Sequence, residues 1–425
     1  MNIERSILTA TRKTPAGHIT LGIWLLFLAV FSAARTAVSA AEHPLKVFIL
    51  AGQSNMQGHA QVRTFNAMRL DEETAPLLAE MVKADGTPHV CEQVWISSIG
   101  SSPEERTGQL TAGYGADPNG SKIGPEFTFG ITMQKMLDEP ILIIKTAWGG
   151  KSLHTDFRSP SAGPYRFNPS QLDALKKQGK DLAEVKAKRS EATGLYYRLM
   201  QDHVNAVLAD IGRVYPDYDA NQGYELAGFV WFQGWNDMVD RGVYPQRDQP
   251  GGYDQYTDTL AHFIRDVRKD FKAPDLPFVI GVMGAGGPTD EYSAGQMRYK
   301  PIHDNFRNAM AAPALLSEFK GSVAAVRTEK FWDMRLMELR ARDAVIKQQV
   351  NQAKQEQQLN RQAEQTLRDK LRASEFTDEE LKLLTESVSN AEYHYLGSAR
   401  ILAPIGKGFA EALAELMTTN KSESN

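Results

Sequence analysis

The chain holds a single cysteine, Cys91, among 425 residues. That excludes an intrachain disulfide and any cysteine-based metal site. It also has no basic excess. Lys and Arg number 48 against 52 Asp and Glu, and removal of the first 40 residues, with Arg5, Arg12, Lys13, Arg35 and Glu4, leaves 44 against 51, about −7. Nucleic acids and anionic membranes are held chiefly through Lys and Arg on phosphates, so both are set aside as partners. No apolar run reaches the roughly 20 residues that a spanning helix needs. Neither His-Glu-X-X-His nor a Gly-rich loop closing on Lys-Ser/Thr occurs, so the motifs call for no metal and no cofactor.

What is present is average for a folded protein: 42% apolar and 24% charged residues. About 385 residues after the first 40 are enough for one large core. Those first 40 read as an address. Arg5, Arg12 and Lys13 precede a 13-residue apolar run at 21–33, and Val-Ser-Ala at 38–40 offers a cleavage site. This is the pattern of a secretory signal peptide, and predicts a secreted or periplasmic protein. An uncleaved signal anchor is the alternative membrane association.

Nearly continuous apolar runs recur at 47–51, 94–99, 141–144, 226–232, 278–283 and 322–326. Runs of this kind suit strands buried on both faces, as in a parallel sheet covered by helices. Met200, Val204, Val207 and Ile211 share one helical face, as do Tyr256, Leu260, Phe263, Ile264, Val267 and Phe271. The expected fold is therefore α/β, a three-layer α/β/α arrangement around a mostly parallel sheet. Residues 41–418 form a single domain with two excursions, and 419–425 a polar tail. One excursion, at 161–193, is polar and weakly apolar in pattern. The other, at about 329–389, contains a stretch from 335 to 375 with no Gly or Pro, which predicts a long helix, alone or in a helical hairpin with the segment after Thr377, where Thr377 and Glu380 resemble a capping box.

Three of the runs end on polar residues. The first leads into Gly-Gln-Ser-Asn-Met at 52–56, placing Ser54 just past the strand's carboxyl end, where open α/β sheets bind ligands. Met56 stands where a Gly-X-Ser-X-Gly elbow would carry its second glycine. A serine at such a turn serves either as a nucleophile or as a helix cap. The 141–144 run continues into Thr-Ala-Trp-Gly-Gly-Lys-Ser-Leu at 146–153, and the 226–232 run into Gln-Gly-Trp-Asn-Asp at 233–237. Amides and a carboxylate at strand ends are costly in a core but suit a polar pocket.

These blocks, with Ile-Gly-Pro-Glu-Phe-Thr-Phe-Gly at 123–130 and a late His394 in Tyr-His-Tyr-Leu-Gly, resemble the ordered motifs of SGNH hydrolases, specifically the sialate O-acetylesterase and acetyl xylan esterase-like branch. The similarity spans roughly 45–330 and resumes at 390–416. It implies an SGNH, flavodoxin-like fold and removal of O-acetyl groups from a carbohydrate. It implies Ser54 as nucleophile and His394 as base, with an oxyanion site from the backbone N–H of Ser54 and of Gly149 or Gly150 and the side chain of Asn236. Gln53, Trp148, Gln233 and Trp235 are then expected to line the substrate site, with Lys151 and Arg158 near an acidic sugar. The chain departs from the family at the orienting acid. An Asp three residues before the histidine is replaced by Ala391, flanked by Asn390 and Glu392, and Trp235 stands where many members have Glu. Asp237 is the first choice for the missing acid, Glu392 the second, and a Ser-His dyad the third. Alternative functions are an esterase for longer acyl chains and a carbohydrate-binding protein that has lost turnover. The oligomeric state is left open.

Overall fold

A computed structural model describes residues 43–116 and 122–423. The proposed leader and its apolar run lie outside the described residues. Among the described residues nine strands form, in chain order β1 (Leu45–Gly52), β2 (Ala60–Gln61), β3 (Cys91–Ile99), β4 (Arg106–Leu110), β5 (Lys122–Ile123), β6 (Ile141–Ala147), β7 (Tyr224–Phe232), β8 (Phe278–Val282) and β9 (Val323–Arg327). All six apolar runs became strands. Seven strands make one sheet in the order β4-β3-β6-β1-β7-β8-β9, parallel except for β4, while β2 and β5 pair separately. The edge strand β4 carries only one buried residue, Leu110, so no apolar run announced it.

The central strand β1 has every residue buried. It registers with β6 on one side and β7 on the other, Gly52 facing Ala147 and Phe232 respectively. The chain first moves outward to β3 and returns through β6, then crosses β1 to reach β7. The order therefore reverses at β1, and a crevice opens beyond the carboxyl ends of β6, β1 and β7. The three polar motifs all sit at this edge. Gly52 is required by close approach, because a Cβ there would meet the Phe232 carbonyl oxygen at 2.1 Å.

The helices are α1 (Ser54–Gln57), α2 (Phe65–Met68), α3 (Ala75–Met81), α4 (Glu126–Leu137), α5 (Pro169–Lys177), α6 (Leu182–Ala192), α7 (Leu195–Ala209), α8 (Trp235–Val239), α9 (Asp254–Asp270), α10 (Lys300–Ala311), α11 (Met334–Gln357), α12 (Arg361–Glu375), α13 (Asp378–Ser387) and α14 (Ala399–Glu423). One face of the sheet, through Val47, Ile49, Phe229, Trp231 and Ile280, is covered by Met200 and Val204 of α7 and Leu260 and Phe263 of α9. The other, through Phe48, Leu50, Ile143 and Val230, is covered by Phe127 and Phe129 of α4 and by Ile405, Phe409 and Leu413 of α14. This is the expected three-layer arrangement. Thr128 ties α4 to α14 by donating to the Ala403 carbonyl at 2.7 Å.

The 335–375 stretch is two helices rather than one. Gln358 adopts a left-handed φ of 52° and ends α11, and the Asn360 side chain accepts from Ala363 N–H to start α12. Asn at an N-cap competes well with helix continuation, so a break needs no Gly or Pro. Thr377 and Glu380 do form the capping box of α13. The excursion at 161–193 contains α5 and α6, both without a buried residue, and α14 continues through 419 as far as Glu423, into the stretch expected as a tail. Among the described residues no helix is long and apolar enough to cross a membrane.

Candidate active site

Ser54 opens α1 directly after β1, and its helix is fixed from below. Lys145 of β6, fully buried, donates to the Gln57 carbonyl (2.8 Å), the Tyr114 carbonyl (2.9 Å) and Glu126 Oε2 (2.7 Å). Glu126 Oε1 in turn accepts from Gly124 N–H. Burial pushes the Lys145 ammonium below its ordinary pKa, and the adjacent Glu126 carboxylate opposes that shift. The pair anchors the turn after Ser54 to α4, which is the context in which the 123–130 motif becomes intelligible.

His394 lies in a 3-10 segment, Glu392–Gly397, that packs against α1. The segment is strained, since Tyr395 and Leu396 have φ of 52° and 60°. A left-handed non-glycine residue costs roughly 1–2 kcal/mol. Both side chains are completely buried, and the Tyr395 hydroxyl accepts from Gly284 N–H (2.8 Å) and lies 2.7 Å from Thr328 Oγ1. Burial and these bonds offset the strain and hold the loop that presents the histidine.

The group on the His394 ring is Asn390. Its Oδ1 accepts from Ala391 N–H (2.7 Å), which identifies the oxygen end of the amide, and the same atom lies 2.9 Å from His394 Nδ1. An amide oxygen has no proton to give, so Nδ1 carries the hydrogen and Nε2 the lone pair. The other end, Nδ2, lies 3.3 Å from Nδ1 of His59, whose ring stacks on His394 at 3.7 Å and 4°. Burial, with the neighbouring Lys122 charge, lowers the His394 pKa to about 4; burial and then His394 lower that of His59 to about 3. Both rings are neutral over most of the pH range. Asn390 and His59 were not assigned roles from sequence, because an amide four residues before a histidine and a histidine five residues after a serine belong to no pattern.

Asp237 does not orient the histidine. It is fully buried and its oxygens accept from Leu153 N–H (2.8 Å), His154 N–H (3.1 Å), Gln233 Nε2 (2.6 Å) and the Tyr244 hydroxyl (3.2 Å). Burial raises its pKa and these donors counter the rise. Glu392 is exposed and stands near Gly286, away from the His394 Nδ1 contact that Asn390 fills. Gln233 is buried as well, donating also to the Lys151 carbonyl (3.0 Å). Together Gln233 and Asp237 rivet the Gly-Gly loop to β7, a scaffolding function where a substrate contact had been expected for Gln233.

Gly149 sits beside the serine, a Cβ on it standing 3.8 Å from Ser54 Cβ, and a Cβ on Gly150, at φ 74°, would meet only open space. Asn236 is half-buried in the first turn of α8. Gln53 is 1% exposed and caps α1 instead of facing the crevice: its Oε1 accepts from Ser54 N–H (2.9 Å) and from the Ser54 hydroxyl (2.6 Å). Among the described residues no hydrogen bond joins Ser54 to His394. Trp148 packs on Tyr196 and Phe157, Trp231 is core, and Trp235 contacts Tyr393. Arg158 is spent on the carbonyls of His154, Ala162 and Gly163, and Lys151 lies over the Tyr196 ring. No group of three or more His, Cys, Asp or Glu among the described residues is placed to hold a metal ion.

A family profile described as carbohydrate esterase, sialic acid-specific acetylesterase, matches residues 44–315. The span includes Ser54, Gly149 and Asn236 and stops short of Asn390 and His394. Among solved structures the chain is similar to a protein from Arabidopsis thaliana, at 18% identity over 67% of this chain and 86% of that one, with a TM-score of 0.34. It is also similar to a carbohydrate acetylesterase from Xanthomonas citri, at 15% identity over 66% of this chain and 49% of that one, about half its length, with a TM-score of 0.35. No curated protein matches.

Proposed function

Given that the chain belongs to the carbohydrate esterase family of sialic acid-specific acetylesterases and is a carbohydrate O-acetylesterase, we propose that it acts through a Ser54–His394 acyl-enzyme with Asn390, in place of an acid, holding the base. The observation that carries this reading is the Asn390 Oδ1 contact to His394 Nδ1, which leaves Nε2 as a proton acceptor on the segment packed against α1.

The Ser54 hydroxyl turns from Gln53 to Nε2 and gives up its proton as Oγ attacks the acetyl carbonyl. Hydrogen bonds of this kind are often unformed before substrate binds. Negative charge on the carbonyl oxygen is met by the Ser54 N–H, which exchanges Gln53 Oε1 for the oxyanion, by Gly149 or Gly150 N–H, and by Asn236. The bond from acyl carbon to sugar oxygen breaks, His394 returns the proton to that oxygen, and the free sugar hydroxyl leaves. Water, deprotonated by the same Nε2, then attacks the acetyl-Ser54 carbonyl, the bond from acyl carbon to Oγ breaks as Nε2 returns that proton to Oγ, and acetate leaves. The substrate is an O-acetylated sugar, sialate or acetylated polysaccharide. The leader at 1–40 supports export to a secreted or periplasmic location.

Ser54→Ala is expected to abolish acetyl ester hydrolysis with an unchanged melting temperature, since only a hydroxyl is removed. Asn236→Ala is expected to lower kcat by on the order of 100-fold with little change in KM, as for a donor used in the transition state. Both are read by steady-state rates on p-nitrophenyl acetate, and near-normal turnover of Ser54→Ala would overturn the assignment.

A further inference from the structure

Building on this serine-esterase reading, we propose that Tyr393, backed by Trp235, is the platform on which the sugar ring of the substrate stacks. The base that takes the serine proton must return it to the leaving oxygen, so the sugar comes within hydrogen-bond reach of His394 as the ester bond breaks. For an acetyl group on a ring hydroxyl or on the hydroxymethyl arm of a hexose, the ring is only one or two bonds from that oxygen and must rest on whatever borders the histidine. One face of the imidazole is closed by His59 at 3.7 Å. Tyr393 borders it elsewhere, with ring centroids 4.4 Å apart at 68°.

Tyr393 is 43% exposed, unlike its fully buried neighbour Tyr395. Its ring is braced by Trp235 at 5.5 Å and 39°. Trp235 immediately precedes Asn236, and Tyr393 immediately precedes His394, so the aromatic pair runs from the oxyanion side of the crevice to the base side. An aromatic face carries partial negative charge and an apolar body, which suits the C–H face of a pyranose. The remaining motif aromatic, Trp148, has its contacts with Tyr196 and Phe157. Glu392, next in sequence, stands toward Gly286 and adds no partner to the ring.

The test compares kcat/KM on an O-acetylated methyl glycoside with that on ethyl acetate, which has no ring to stack. In Tyr393→Ala the ratio of sugar ester to ethyl acetate is expected to fall about tenfold, mainly through KM for the sugar ester, while Tyr393→Phe keeps the ratio within about twofold of wild type. Equal losses on both esters, or a Phe variant no better than Ala, would overturn the platform. If Ser54→Ala hydrolyses the esters as fast as wild type, the serine-esterase reading fails and the platform with it, a result separable from any change in the ratio.

Discussion

The carboxamide of Asn390 is used at both ends, and that explains why it is not an aspartate. Its oxygen takes the proton of His394 Nδ1, while its nitrogen faces Nδ1 of His59. A carboxylate could serve the first ring but has no hydrogen for the second. Asn390→Asp places a negative charge beside His394, which favours the protonated ring and raises its pKa. The acid limb of kcat/KM, expected near pH 4 in the wild type, should move upward by about a unit or more, and Asn390→Ala should lower kcat by roughly 10- to 100-fold by freeing the ring. The pH–rate profile of the three proteins checks both. Stability carries the same sign. Both histidines bind protons less readily folded than unfolded, so as pH falls from about 6.5 to about 3 the unfolded chain takes up more protons, and the melting temperature declines with falling pH across that window and levels off above it. Sequence could single out His394 as the proposed base, because a late histidine in a Gly-containing turn completes an ordered set of motifs. It could not locate Asn390, because the partner of a histidine is chosen by the turn of a strained loop, and the φ values of Tyr395 and Leu396 have no sequence signature outside glycine.

At the scale of elements, the loop after β6 is tied to α8 through the Asp237 carboxylate. Asp237 receives two backbone N–H groups from Leu153 and His154 along with Gln233 and Tyr244. Asp237→Asn turns an amide NH2 toward donors and strands at least one of them in a buried setting, at a cost of about 1–3 kcal/mol. The expected result is a melting temperature lowered by several degrees, with activity reduced in proportion to the loosened Gly149–Gly150 loop and with no shift in the acid limb; a pH shift would mean that the carboxylate acts on His394 after all. The strands were legible because β1, β6 and β8 are buried throughout and β3, β7 and β9 keep short apolar runs even where they are only partly covered. β4 was not, because an edge strand with one buried residue has no such run. The break at Gln358 was missed for a related reason: between α11 and α12 the only marker is Asn360, and an asparagine in a Gln-rich stretch is weak evidence until its side chain is seen on Ala363 N–H.

Across the whole molecule, the proposed mechanism draws its groups from segments far apart in the chain. Ser54 follows the first strand, while Asn390 and His394 precede the last helix, whose Ile405, Phe409 and Leu413 close one face of the sheet. A chain ended after Ser389 is expected to lose both cooperative melting and hydrolysis, as checked by circular dichroism and by the acetyl ester assay, because Phe48, Phe127 and Phe232 would be left open to water. Contacts between such distant segments also slow folding. On the proposed mechanism, therefore, the growing polypeptide carries Ser54 long before its base and stays chemically silent until the segment holding Asn390 and His394 has been made. If that mechanism holds, a premature stop or a nick ahead of Asn390 would silence the enzyme as surely as the loss of Ser54, without touching a residue of the first motif.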